Sequence, residues 1–407
     1  MRKVLVFATL AILIACSASA SVTRVTGMLG SNIWPVFAVE DDSLINFYPS
    51  KILSYPNSAV LEYNGNTWGY LNMPAFNGVL SVSGGNYDMT DTSGVGYGFK
   101  IGGMPAGFSL SYRDGYYTNN HLKTDLPLNP GKDFSKTGSF DIEAKGGITL
   151  GDKNPWDLGL TIEIPHYESP YSKTYDTTGY LANEQYDGTV FALDPYIFAR
   201  TTSGSWTYSL ALYNYFENSR NTNKNYDASG NLIAGSSETL YSNVSIDYYI
   251  SALDEIKISD NTSLYLLVQP DIWRGNYNSK STNLVTKATT GTTDSNWYGI
   301  WIPAAFGTEA KVNDTWTLRG GATFDLLDYS WSGNINKNAA GTVTYNSQNN
   351  SFSIATNPGV SLGSTLSVGG FKLDAWLNYN LLLSGPNIIS GANNSLTSSI
   401  AITYLWK

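Results

Sequence analysis

From Ser395 to Trp406 the chain reads SLTSSIAITYLW. Leu396, Ser398, Ile400, Ile402, Tyr404 and Trp406 fall on one face, and Thr397, Ser399, Ala401 and Thr403 on the other. Side chains alternate across a strand, so this period of two predicts a strand with one apolar and one small polar face. The pattern recurs. Trp156, Leu158, Leu160, Ile162 and Ile164 alternate with Asp157, Thr161 and Glu163. Trp316, Leu318, Ala322, Phe324 and Leu326 alternate with Thr317, Arg319, Thr323 and Asp325. Phe371, Leu373, Ala375, Leu377, Tyr379, Leu381 and Leu383 alternate with Lys372, Asp374, Asn378 and Asn380. About sixteen such segments are predicted, at 58–64, 67–73, 78–86, 95–103, 106–114, 136–151, 155–166, 188–202, 205–218, 239–258, 262–274, 296–312, 315–331, 351–367, 371–383 and 395–406.

The connectors sort into two kinds. One set is tight: 103–106, 152–154, 203–204, 260–261, 313–314 and 369–370. The intervening set is long and polar: 115–135, 167–187, 219–238, 275–295, 332–350 and 384–394. Short and long connections in alternation are the asymmetry of a membrane barrel, with short periplasmic turns and longer outer loops. The predicted fold is therefore all-β, a transmembrane antiparallel β-barrel of about 14–16 strands with an N-terminal inward segment. An even strand count puts both ends of the barrel on the periplasmic side.

Charge follows the same parity. Lys100, Arg113, Asp141, Glu143, Asp157, Glu163, Arg200, Asp247, Arg319, Asp325, Lys372 and Asp374 sit on the polar faces and are expected to line a water-filled lumen. An Arg or Lys on the lipid face costs about 2–4 kcal/mol at the bilayer midplane, so such segregation is required of a barrel. Asp254 breaks the parity of its strand and calls for a bulge or a place near the periplasmic rim. The lumen charges fit either a solvated wall or a constriction that sorts solutes.

Composition narrows the class. The chain has 29 Tyr and 11 Trp among 407 residues, only 14% charged residues, and a formal net charge of −9. Soluble domains carry nearer a quarter charged residues, and the negative balance disfavours nucleic acid as a partner. No later stretch reaches the roughly 18 apolar residues of a spanning helix. Residues 1–20 read as a secretory signal: Arg2 and Lys3, an apolar run from Val4 to Ala15, then Ala18-Ser19-Ala20. The single cysteine, Cys16, also lies in a lipoprotein-like cleavage box, so it is either lipidated or removed with the signal; neither allows an intramolecular disulfide.

Residues 21–57 do not alternate. They hold Trp34, Phe37, Phe47 and Tyr48 in a stretch too short for its own core, which fits either a hatch inside the lumen or periplasmic packing. Asp41-Asp42 offers a cation contact, a solvated turn or a partner for a lumen base, but two acids are not a full oxygen-ligand set. Arg24, Leu29-Gly30, Phe37-Ala38-Val39, Asp41-Asp42 and Tyr48-Pro49 together resemble the N-terminal features of the FadL-like hydrophobic-compound transporters and the related PorV-type barrels, with Ser31 in place of a second Gly and Tyr48-Pro49-Ser50 in place of Asn-Pro-Ala. The resemblance implies a barrel, usually of fourteen strands, plugged by this segment and passing hydrophobic small molecules. The last strand, through Ile400, Ile402, Tyr404 and Trp406, resembles the assembly signal of bacterial outer-membrane barrels, although Lys407 follows the aromatic. It implies outer-membrane lipid and the barrel assembly machinery as partners.

The domain reading is thus a signal peptide at 1–20, a hatch-like segment at 21–57 and a barrel at 58–407. His121 and His166 are the only histidines and neither lies in a catalytic string, so no enzyme, no cofactor and no metal site is expected. The expected activity is passage of a small-molecule solute. The alternative is a non-transporting scaffold or surface-binding barrel.

Overall fold

A computed structural model describes residues 20–29, 39–63, 67–87, 90–123, 131–168, 171–177, 180–226, 231–354, 356–377 and 397–406. Residues 1–19, expected to belong to a signal peptide, lie outside them, as do Trp34, Phe37 and the parts of the expected strands at 378–383 and 395–396. The strands are β1 (Ser58–Tyr63), β2 (Thr67–Ala75), β3 (Gly78–Tyr87), β4 (Thr90–Ile101), β5 (Met104–Lys123) and β6 (Gly131–Leu150). Then come β7 (Trp156–Glu168, continued by Tyr171–Thr177), β8 (Tyr180–Ser203), β9 (Trp206–Tyr226) and β10 (Ser237–Ser259). The last are β11 (Thr262–Val268 and Asp271–Asn283), β12 (Thr289–Lys311), β13 (Trp316–Asn338), β14 (Val343–Ser353 and Thr356–Val368), β15 (Phe371–Leu377) and β16 (Thr397–Leu405). β7, β11 and β14 are each one strand with a short break: both halves of β7 and of β11 pair with the same two neighbours, and both halves of β14 pair with β13. In β11 the break is at Gln269-Pro270, where proline has no N–H to give the ladder.

Every strand is antiparallel to the next, and β1 pairs with both β2 and β16, so the sheet of sixteen strands closes on itself. Its dressing is the reverse of a soluble protein's. Leu318 is 49% exposed and its neighbour Arg319 7%; Leu373 is 39% exposed and Asp374 4%. Phe108, Leu110, Leu160, Ile197, Leu210, Ile250, Phe306 and Val360 continue the outward apolar belt, while Asp157, Thr161, Arg200, Ser251, Thr323 and Ser361 are turned inward and buried. An apolar outside around a charged inside is stable only where the outside meets hydrocarbon. This is a transmembrane barrel of the bacterial outer membrane. Asp254 stands on the outward parity of β10 opposite Trp206, near the tight-turn end; the register shift in that strand lies beyond it, between Lys257 and Ser259.

The tight turns expected from the sequence all fall at one end, although two-residue connections also join Tyr87 to Thr90 and Thr177 to Tyr180 at the other. At 76–77 and 102–103 both turn residues have positive φ: Phe76 at 49° and Asn77 at 67°, Gly102 at 58° and Gly103 at 91°. That is the twist-matched hairpin geometry. The other end differs from the expectation of long loops. β8 has 24 residues, and β10, β12 and β13 have 23 each. About 9–11 residues suffice to cross the bilayer, so each ladder continues well beyond it, through much of the sequence expected to be loop. The β11–β12 connection is only residues 284–288 and the β13–β14 connection 339–342. Above the membrane both faces of a strand meet water, so the period-two signal disappears although the hydrogen bonding does not.

Candidate functional site

Inside the barrel lies the N-terminal segment. Helix α1 (Ala20–Leu29) is followed, beyond residues 30–38, by two 3-10 turns, Asp42–Asn46 and Pro49–Ser54. Asp41 caps the first, its carboxylate accepting from the Ser43 backbone N–H at 3.4 Å. Pro49 starts the second, a position where the missing N–H costs nothing. Val25, Met28 and Leu29 of α1 are fully buried against Leu253, Tyr265, Leu267 and Ala305 of the wall. Leu44 and Tyr48 pack with Phe198 and Ala211; the Phe47 and Phe198 rings meet edge-on at 5.3 Å. Burial pushes the Tyr48 hydroxyl well above its ordinary range, so it stays protonated.

Two ionic clusters tie the segment to the wall. In the first, Arg24 holds Asp41 of its own segment at 2.8 Å and forks onto Glu309 of β12 at 3.0 and 3.1 Å. Glu309 also accepts from Arg319 of β13 at 2.6 Å, and Arg319 reaches Asp374 of β15 at 3.1 Å. Burial alone would lower the proton affinity of Arg24; Asp41 and Glu309 more than reverse this and hold the guanidinium well above its usual range. In the second cluster Lys51 meets Asp157 of β7 at 2.9 Å and Glu40 at 3.4 Å, while Arg200 of β8 meets Glu40 at 2.6 Å and Asp157 at 3.3 Å. Asp42 is engaged separately, accepting from the Tyr70 hydroxyl at 2.6 Å.

The remaining contact is steric. Gly98, Gly107, Gly147 and Gly159 are direct lateral partners across β4, β5, β6 and β7. They form a lane without side chains on which residues 47–53 lie. A Cβ on Gly107 would overlap the Pro49 carbonyl and one on Gly159 the Phe47 carbonyl; on Gly147 it would come within 2.9 Å of Pro49, and on Gly98 within 3.0 Å of Ile52. Glycine in a strand interior marks such a close backbone approach. Gly321, paired with Gly307, similarly leaves room for the Met28 carbonyl of α1. At the closing seam, Thr23 donates to Glu62 of β1 at 2.5 Å and lies 2.9 Å from the Ser399 hydroxyl of β16.

The other sequence-selected residues divide by place. Asp157, Arg200, Arg319 and Asp374 lie in the two clusters, and Arg319 and Asp374 also line a cavity of about 370 Å³ that the segment borders with Arg24, Glu40 and Asp41. Arg113 pairs with Asp141 at 3.0 Å and stands 3.9 Å from Glu163; Lys145 meets Glu143 at 3.0 Å and the Asn46 carbonyl at 3.0 Å. Lys100 and Lys372 are exposed near the tight-turn rim. Asp247 and Asp325 line a separate cavity. On β16, Ile400 and Tyr404 point outward, Ile402 is half-buried, and Tyr404 stacks on Phe371 at 4.3 Å and on Trp406 at 5.9 Å. Sequence reading passed over Glu40 and Lys51, which lie in a segment without periodicity, and the glycine lane, whose signal is glycine at the inward parity of four successive strands.

No family model matches the chain, and no curated protein matches it either. Solved structures similar to it include the ferric yersiniabactin uptake receptor FyuA of Yersinia pestis, at 9% identity over 85% of this chain and 78% of that one, with a TM-score of 0.38. Others are the ferric citrate transporter FecA, at 10% over 79% and 66% with a TM-score of 0.31, and the ferric-catecholate import receptor Fiu of E. coli K12, at 11% over 78% and 68% with a TM-score of 0.28. Likeness at this level carries no argument about activity, and the fold rests on the barrel's own geometry.

Proposed function

We propose that the protein is an outer-membrane channel for small molecules in which residues 21–57 act as a hatch. The observation that carries this reading is the glycine lane: four neighbouring strands forgo side chains where the segment's backbone lies. A wall shaped to receive a segment fits a regulated passage better than a passive tail. The inner wall favours polar or ionic solutes, because the described lumen is lined by Arg113, Asp141, Glu163, Asp247 and their neighbours. A hydrophobic cargo, which the FadL-like resemblance implies, would have to pass these groups.

The test compares bilayer conductance of the full chain with that of a variant lacking residues 22–50, both checked for heat-modifiable migration. The strands close on each other without the segment, so the deleted barrel should fold and conduct more. A folded deletion variant with no gain in conductance would count against the hatch. It would favour a scaffold or surface-binding role, for which the long strand extensions beyond the membrane supply the surface.

A further inference from the structure

On β12, Gly307 lies beneath α1, and Trp301 stands six residues farther from the tight-turn end, about 20 Å along the strand. There the lumen holds a cavity of about 640 Å³. Its lining is unlike the rest of the wall. Three indoles, Trp273, Trp297 and Trp301, meet four carboxylates, Asp247, Asp271, Asp325 and Asp328; two serines complete it, and no basic residue contributes.

The indoles are held in place by the ladder itself. Trp273 is the lateral partner of Gly299, and Gly275 of Trp297. A Cβ on either glycine would run into the opposing indole, so each ring lies flat across the neighbouring strand. The two Trp-x-Gly pieces, Trp273-Arg274-Gly275 and Trp297-Tyr298-Gly299, thus interlock into an aromatic floor. Asp271 borders it with one carboxylate oxygen, Oδ1, buried and without a hydrogen-bond partner.

We propose that this cavity, outward of the hatch, binds an organic cation. Ring faces attract a cation through their quadrupole, indole most of all, and the carboxylates supply the counter-charge. The four carboxylates are spread around the cavity. Among the described residues no group of three or more acids, His or Cys is placed to hold a metal ion. A spread-out charge on an apolar frame fits that spacing, whereas a bare metal ion does not. A neutral sugar would stack on the rings but bring no charge to offset Asp247, Asp271 and Asp328. The proposal deepens the channel reading and rests on it for its meaning, since the ligand would be the solute awaiting passage.

The test is equilibrium dialysis of labelled choline against the detergent-folded full chain, with 3,3-dimethylbutan-1-ol, its uncharged analogue, and glucose as competitors. Choline should bind saturably, at least tenfold tighter than the alcohol, with no competition from glucose. Asp271→Asn, which keeps the wall's shape, and Trp297→Leu should each weaken choline at least fivefold, with heat-modifiable migration retained; Asp271→Asn decides should Trp297→Leu not fold. No saturable choline binding, equal affinity for the alcohol, binding indifferent to Asp271→Asn, or glucose binding in place of choline would each overturn the proposal. Dialysis does not depend on conduction. A chain that binds choline but whose deletion variant gains no conductance keeps the site and loses the hatch. The opposite result loses the site alone.

Discussion

The N-terminal segment meets the barrel through two regions of different chemistry. Around β12, β13 and β15 the contact is ionic: Arg24 of the segment bridges Asp41 and Glu309, and Glu309 is shared with Arg319. Across β4 to β7 it is mainly a matter of room, with backbone lying on the glycine lane and the Lys51–Asp157 pair at its β7 edge. A charged contact can be loosened by ions and re-formed, because its strength depends on what screens it. A contact made by absent side chains cannot be tuned by solution conditions and sets position instead. The lane therefore fixes where the segment sits, and the clusters set how readily it leaves.

The largest expected effect follows from filling the lane. Gly107→Leu with Gly159→Leu places side chains where the Pro49 and Phe47 carbonyls lie. Overpacking costs about 1–3 kcal/mol per site even where neighbours can adjust, and a rigid strand wall adjusts little. Conductance should approach that of the variant lacking 22–50, with heat-modifiable migration unchanged. A conductance equal to the parent's would remove the lane from the account. Next comes Arg24→Met. Breaking a buried pair costs about 3–5 kcal/mol; Arg24 and Glu309 keep some exposure and Glu309 retains Arg319, so about 2 kcal/mol of docking is expected to be lost. More frequent opening in single-channel records should result, with weaker dependence on salt than in the parent.

A third measurement sharpens the contrast. Ser361 is 1% exposed and pairs with Gly321 beneath α1. A Ser361→Cys thiol should resist a charged thiol reagent in the full chain and react once Arg24→Met is added. Reaction at equal rates in both would mean that α1 does not cover this wall. The smallest effect belongs to Glu40→Gln. Glu40 is 54% exposed at its side chain, so its bonds to Arg200 and Lys51 contribute at most ~1 kcal/mol. Opening should rise slightly, and 1 M salt should erase the difference from the parent, since the Debye length there is only about 3 Å.

Much of the wall was legible because lipid imposes a strict rule on it. In 315–326 and 371–377 every second residue must be apolar, and the strands β13 and β15 carry that parity with Leu318 and Leu373 outward. The far ends of β8, β12 and β13, residues 180–187, 289–295 and 332–338, were not legible as strands, whereas the expected 239–258 covers nearly all of β10. Residues such as those from Ser330 to Asn338 have water on both sides, and nothing constrains their alternation. The docking of the segment was hidden for another reason. Gly107 and Gly147 are 40 positions apart and look like ordinary strand glycines; only lateral register makes them neighbours. Trp273, Trp297 and Trp301 carried a signal that went unread, as large aromatics sharing the parity of Asp271 rather than that of the lipid-facing residues.

Thr23 bears on the chronology of assembly. It touches Glu62 on the first strand and Ser399 on the last, a partner 376 positions away. The helix that carries it lies along the line where the cylinder is sewn shut. It is among the earliest parts of the barrel region to be synthesised, yet its final contacts can form only when β16 arrives. Threading it into a finished ring would have to bring Arg24 to Glu309, Met28 to Gly321 and Pro49 to the lane through a closed lumen, whereas folding the ring around it meets no such obstacle. The N-terminal segment is accordingly expected to wait inside the open sheet as a mandrel, and the last strand to close over it.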